Sequence, residues 1–248
     1  MDDLIDATAR AEREHFWFRG FRRFVRPLVA QAAADRRGVR ILDCGCGTGA
    51  NLAMLASAGT AWGFDLNALG VSLARGAGHT RVARASISHI PFPDATFDLA
   101  TSFDVWQTLP AAVEAAAPRE MFRVLRPGGA MVVNVSALPV LFGNHSVLSE
   151  EKQRYTRPRL RELVEAAGFR VERLTYTNFT LFPLVLAVRA TQRAMGLKPA
   201  AEARGEITIP RRWINEPLAG LLALEARVLR RVDMPVGSSL LCLARKPR

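Results

Sequence analysis

Residues 39–49, VRILDCGCGTG, decide how the rest of the chain is read. Val39, Ile41 and Leu42 read as a short buried strand, and Asp43 closes it at its carboxyl end. Gly45, Gly47 and Gly49 then make a turn with almost no side-chain bulk, so the backbone can bend sharply and lie close to a ligand. Residues 50–58, with Leu52, Met54 and Leu55 as their large apolar members, have helical composition. A helix starting there offers unpaired N–H groups and a partial positive charge to whatever the turn holds. Strand, glycine turn and helix start together predict a site for a nucleoside-containing cofactor, without naming it.

Outward from that stretch, strand-like and helix-like segments alternate, which predicts a parallel sheet with helices on both faces. The strands fall at 39–43, 60–65, 81–85, 97–103, 130–135, 169–177 and 238–244. Asp65 ends the second of them, about twenty residues past the glycine turn, where a carboxylate can accept hydrogen bonds from both ribose hydroxyls. A helix N-cap is the plainer alternative for it. Helices are expected at 68–75, at 111–124 with an interruption at Pro118, and at 156–167 with Thr156 as N-cap and Gly168 as C-cap. The turn RPGG, 126–129, precedes strand five.

Both flanks of this core are helical in pattern. Residues 3–35 open on Leu4, Ile5 and Ala9 and carry an aromatic cluster, Phe16, Trp17, Phe18, Phe21 and Phe24, among five arginines. Gly20 is expected to break this stretch into two helices. The cluster reads either as an amphipathic helix packed on the domain or as a lid over the cofactor, with Trp17 or Phe16, and Arg19, facing the pocket. Residues 179–197 read as an apolar helix, 198–210 as a loop and 212–231 as a further helix. This gives three divisions: a helical cap at 1–38, a cofactor domain at 39–177 with 232–248, and a helical insertion at 178–231.

The chain has 248 residues, 49% of them hydrophobic, and a formal charge of +11 carried mostly by arginine. No stretch reaches the roughly 18–20 apolar residues of a spanning helix, and the N-terminus MDDLIDATAR does not read as a signal peptide. Three cysteines, two of them in the glycine turn, make no disulfide framework. The expected setting is the reducing cytoplasm. The positive charge fits an anionic substrate or an anionic membrane surface; no nucleic-acid motif accompanies it.

The spacing Asp43-x-Gly45-x-Gly47-x-Gly49 resembles motif I of class I S-adenosylmethionine-dependent methyltransferases of the type 11 kind. Asp65 resembles the family's ribose-binding acid, IPFPDATFDLA (90–100) its segment leading into strand four, and RVLRPGG (123–129) its turn before strand five. The likeness is strong over about residues 39–136. The flanking EREHFWFRG, YTRPRLRELVEAAGF and PVGSSLLCLARKP resemble a bacterial subgroup often found with genes for surface-glycan or lipid modification. The resemblance implies an α/β fold: a Rossmann-like, mostly parallel sheet of seven strands. It implies S-adenosyl-L-methionine as cofactor and transfer of its methyl group to a small-molecule, glycan or lipid-linked acceptor.

Site roles follow by position. The backbone of Gly45, Cys46, Gly47 and Gly49 would face the methionine part of the cofactor, and Asp43 would orient that turn or reach the amino group through water. Asp65 would hold the ribose, Leu66, Ser86 and Ile87 the adenine, and Phe103 would lie beneath the sulfonium. Two departures stand out. Ser86 replaces an acid, and Gln107-Thr108 replace the family's usual Glu-His pair. A general base is then sought among His145, Tyr155, Glu151 and His15. Metal ligation by Cys44 and Cys46 is not expected. Other readings are a non-catalytic cofactor-binding or peripheral membrane module, and, on charge alone, an RNA methyltransferase. Oligomeric state is not encoded in any pattern found.

Overall fold

The computed structural model describes residues 11–34, 36–199 and 208–248. The expected helix opening at Leu4, Ile5 and Ala9, and most of the 198–210 loop, lie outside those residues. Seven strands form one sheet: β1 (Arg40–Cys44), β2 (Thr60–Asp65), β3 (Val82–Arg84), β4 (Phe97–Phe103), β5 (Leu125–Ser136), β6 (Arg170–Thr177) and β7 (Ser239–Arg245). Their order is β3-β2-β1-β4-β5-β7-β6. Only β7 runs against its neighbours, pairing antiparallel with β5 and β6. Every residue of β4 is buried, as befits a strand covered on both faces.

The helices are α1 (Phe16–Ala33), α2 (Ala50–Leu55), α3 (Ala68–Gly76), α4 (Ala111–Glu114), α5 (Ala116–Val124), α6 (Asn144–Leu148), α7 (Arg157–Ala166), α8 (Phe182–Ala194) and α9 (Arg212–Leu229). One apolar core joins Phe24, Val25 and Leu28 of α1 and Leu222 and Leu229 of α9 to the sheet residues Ile41, Leu99 and Val132. No helix among the described residues is long and apolar enough to cross a membrane.

Three expectations are corrected. Gly20 does not break the N-terminal helix; α1 runs through it. A Cβ on Gly20 would stand 2.4 Å from Leu222 Cδ1 and 2.9 Å from Leu222 Cβ, so the missing side chain admits α9 against α1. Pro118 does not interrupt the 111–124 helix. The break falls at Ala115, and Pro118 sits in the first turn of α5, where a missing N–H costs nothing. RPGG is not a turn ahead of β5 but lies within it. The pairing passes from Phe97–Leu125 to Leu99–Ala130, so the segment bulges out of register there.

Candidate functional site

The site lies at the carboxyl ends of β1, β2 and β4, where the strand order reverses between β1 and β4. The turn after β1 is held by backbone bonds: Gly45 and Cys46 both donate to the Phe64 carbonyl at 2.9 Å, and Gly49 donates to Cys46 at 2.9 Å. Gly45, Gly47 and Gly49 have φ of +87°, +51° and +85°, the left-handed region that glycine enters freely. A Cβ on Gly45 would also meet Val105 Cγ2 at 2.3 Å, whereas beside Gly47 the space is open. Gly47 is therefore where a ligand can lie against bare backbone.

Two carboxylates bracket that opening. Asp65 accepts the Gly47 N–H through Oδ2 and the Asn67 N–H through Oδ1, both at 2.8 Å. Asp43 is buried. Its Oδ1 accepts from Thr101 Oγ1 at 2.7 Å, while Oδ2 has no partner among the described residues. Burial pushes Asp43 up to about 7, against the Thr101 hydrogen bond and helped by the Asp65 charge. A buried carboxylate oxygen without a donor is costly and calls for a cationic or donating ligand. An orphaned acceptor, an open glycine backbone and an acid closing β2 fit S-adenosylmethionine, whose methionine end is a cation and whose ribose presents hydroxyl donors.

Leu66, next to Asp65, is 64% exposed, an apolar face on which a purine can lie. Ile87 is buried, and the Ser86 hydroxyl lies 2.9 Å from that of Ser88. Phe103 closes β4 and meets Phe21 of α1 edge-on, ring centroids 5.2 Å apart, so α1 covers this end of the sheet. Trp17 is half-buried beside Phe16. Arg19 is committed elsewhere: its guanidinium grips Glu216 of α9 by two bonds, 2.7 and 3.0 Å. Glu12, unremarked in the sequence, accepts from Thr48 Oγ1 at 2.5 Å in the glycine turn, and burial raises its carboxyl above the ordinary value.

The residue after Phe103 was also missed. Asp104 has φ +58°, a strained conformation for a residue with a side chain, and is accessible to solvent. Its Oδ1 accepts from Asn134 Nδ2 at 2.8 Å and its N–H donates to the Asn134 carbonyl at 2.9 Å. Desolvation by the surrounding protein raises its carboxyl above the ordinary value, aided by the Glu151 charge and opposed by hydrogen bonds to Asn134 and Gln107. Beside it in sequence, Gln107 is buried, and its Oε1 lacks a partner. A carboxylate at the end of an apolar strand was visible in the sequence; that Asn134 faces it was not.

The four candidate bases have diverse fates. Glu151 is buried, bonded to Arg154 Nε at 2.8 Å and Ser136 Oγ at 2.6 Å. Burial alone would raise its carboxyl, but Arg154, Ser136 and Ser146 together hold it below the ordinary value. Tyr155 is buried, donates to the Trp106 carbonyl at 3.2 Å and accepts from Gln153, and burial pushes its phenol far up. His15 caps α1 by accepting the Trp17 N–H at 3.1 Å. Burial, and the nearby His145, hold it below the ordinary histidine value. His145 on α6 lies 3.2 Å from Ser149 Oγ. The fold thus brings His15 and His145 within electrostatic reach of each other and ties Glu151 and Tyr155 into the interior. Burial likewise pushes the Cys44 and Cys46 thiols up, which keeps them protonated.

Residues 42–133 match the family described as methyltransferase domain. Over that segment the chain carries a methyltransferase domain. This methyltransferase domain is 33% identical over 168 residues, 64% of this chain and 61% of the relative, to a protein of Mycolicibacterium smegmatis named "Probable S-adenosylmethionine-dependent methyltransferase". The chain thus spans about three-fifths of that relative's length. It is 29% identical to a demethylmenaquinone methyltransferase of Mycolicibacterium gilvum, covering 90% of this chain and 88% of that one. The methyltransferase fold is matched in the crystal structure of an S-adenosylmethionine dependent methyltransferase from Mesorhizobium loti. There the TM-score is 0.56 and identity 21%, over 89% of this chain and 96% of that one. S-adenosylmethionine is the cofactor named both for the Mycolicibacterium smegmatis relative and for the Mesorhizobium loti structure.

Proposed function

We propose that this chain methylates a small aromatic acceptor of the quinol class. The observation that carries the reading is the arrangement of Asp43 and Asp65 around the open backbone of Gly47. In it Asp65 keeps lone pairs for the ribose hydroxyls, Asp43 Oδ2 serves the methionine ammonium, and Leu66, Ser86 and Ile87 receive the adenine. Gly45, Cys46 and Gly49 shape the turn. Phe103 and Phe21 wall the methyl-bearing end, and Trp17 helps exclude water from it. Bound there, the cofactor supplies an electrophilic methyl group on a sulfonium.

Asp104 is the general base of this reading. Asn134 aims its carboxylate, and a carboxyl raised above the ordinary value is a stronger base toward an aromatic hydroxyl proton than a free one. The unpaired Gln107 Oε1 gives a second acceptor for a hydroxyl on the same ring. Asp104 so fills the place left by the missing Glu-His pair. The demethylmenaquinone methyltransferases among the relatives support the quinol class, which suits a carboxylate base. A lipid-linked acceptor of another class is the second reading. The exposed Leu184 and Val188 of α8 favour a lipid tail over a bare glycan.

The test is release of S-adenosylhomocysteine with a short-chain demethylmenaquinol. Turnover with that acceptor, lost in Asp104→Asn, supports the assignment; turnover with glycan or lipid-linked acceptors alone overturns the quinol class.

A further inference from the structure

Helices α1 and α9 pack along one another and leave between them an open groove of about 420 Å3. Six arginines line it: Arg19, Arg22, Arg23 and Arg26 from α1, Arg227 and Arg230 from α9. No carboxylate is among its lining residues. Three of the six have work inside the protein. Arg19 grips Glu216, Arg22 donates to the Glu12 carbonyl at 2.6 Å, and Arg23 donates to the Ala219 carbonyl at 3.0 Å. Arg26, Arg227 and Arg230 are exposed, and their side chains make no hydrogen bond or ion pair among the described residues. Arg26, Arg227 and Arg230 stand together without a carboxylate partner, which is unfavourable unless an anion completes the groove.

The same helix carries a second feature. Trp213, Pro217, Leu221, Leu224 and Val228 recur at spacings of four, four, three and four, which puts them on one side of α9. Trp213 is 71% exposed, Leu224 56% and Val228 46%. This stripe is distinct from the buried face of Ala219, Leu222, Ala226 and Leu229, which packs inward. Large apolar side chains in a row on an exposed helix, flanked by arginines, are the pattern of a helix lying in a membrane interface. A soluble phosphate compound or a nucleic acid would use the arginines and leave the stripe in water.

We propose that the α1–α9 face docks on an anionic phospholipid bilayer. The arginine groove takes headgroup phosphates, and the Trp213–Leu224–Val228 stripe enters the boundary between headgroups and acyl chains. This is independent of the acceptor assigned above, since none of these residues belongs to the cofactor or Asp104 clusters.

The test is flotation of the full chain with vesicles of phosphatidylcholine alone and of phosphatidylcholine with phosphatidylglycerol, at low and at raised salt. The chain is expected to float with the anionic vesicles only, and to be released by salt. At about fivefold per guanidinium near a charged surface, Arg26→Gln, Arg227→Gln and Arg230→Gln together should lower vesicle partitioning roughly a hundredfold. Leu224→Ser with Val228→Ser should weaken it at every salt concentration. Both variants should keep S-adenosylhomocysteine binding, which shows that they are folded. Absence of flotation, equal flotation with neutral vesicles, or flotation unchanged in the arginine variant overturns the proposal. So does binding of inorganic pyrophosphate in the groove by a chain that does not float.

Discussion

The Asp65 carboxylate binds the glycine turn to the end of β2: Oδ2 accepts the Gly47 N–H at 2.8 Å while Oδ1 accepts that of Asn67. The turn is therefore shaped before any ligand arrives, by the residue assigned to the ribose. Asp65→Ala removes a carboxylate acceptor from two N–H groups and should lower stability by about 1–3 kcal/mol, read by denaturant unfolding. Amide exchange at Gly47 and Asn67 should speed up. Unchanged exchange at Gly47 would show that the turn holds itself.

Gly20 sets the distance between α1 and α9. An added methyl would overlap Leu222, which has no room to retreat inside the core. Gly20→Ala should therefore destabilise by about 1–3 kcal/mol through overpacking, although alanine is the better helix former by roughly 1 kcal/mol. Adding Leu222→Ala should recover part of the loss. A Gly20→Ala chain with raised melting temperature would contradict the packing account.

Asp104 predicts a pH profile. As a base it works only when ionised, so kcat/KM should fall at low pH as that raised carboxyl takes up its proton. Asp104→Asn should cut kcat by about 10²–10⁴ and abolish that limb. Asn134→Ala, which removes the hydrogen bond favouring the ionised form, should move the limb to higher pH. A limb that survives in Asp104→Asn would assign the base to another group, with His145 the first to test.

Asp43 links cofactor binding to pH. Its carboxyl, ordinarily near 4, is pushed up to about 7 in the folded chain. The fold thus favours its protonated form. That contribution is complete below about pH 4 and is lost as pH rises through 7. Stability of the ligand-free chain should decline over that window, and Asp43→Asn should flatten the decline. A cationic ammonium favours the ionised carboxylate, so affinity for S-adenosylhomocysteine should rise over the same window. Equal pH dependence in wild type and Asp43→Asn, followed by calorimetry, would remove Asp43 from both roles.

The sheet was legible because its signals are local. An apolar run in 97–103, three glycines with an acid before them, and an acid ending 60–65 each state their place without a partner. What was misread depends on contacts distant in sequence. Gly20 looks like a helix breaker until Leu222, two hundred residues on, is seen against it. The Arg126–Gly129 segment looks like a turn until its pairing across β4 shows a bulge. Arg19 looks available for the pocket until Glu216 is found to hold it. Glu151 and Tyr155 carry the right chemical groups, but burial and their partners tie them into the interior. Asp104 was overlooked for the opposite reason: its strained backbone and its Asn134 partner exist only in three dimensions.

The central claim is that Asp65, Asp43 and the glycine turn form an S-adenosylmethionine site. Titration calorimetry of the full chain with S-adenosylhomocysteine tests it most directly. The account predicts saturable binding by the wild type and a loss of about 5- to 150-fold in Asp65→Ala, about 1–3 kcal/mol for a lost hydrogen-bonding partner of two hydroxyls. No binding at millimolar ligand, or equal affinity in Asp65→Ala, would contradict it.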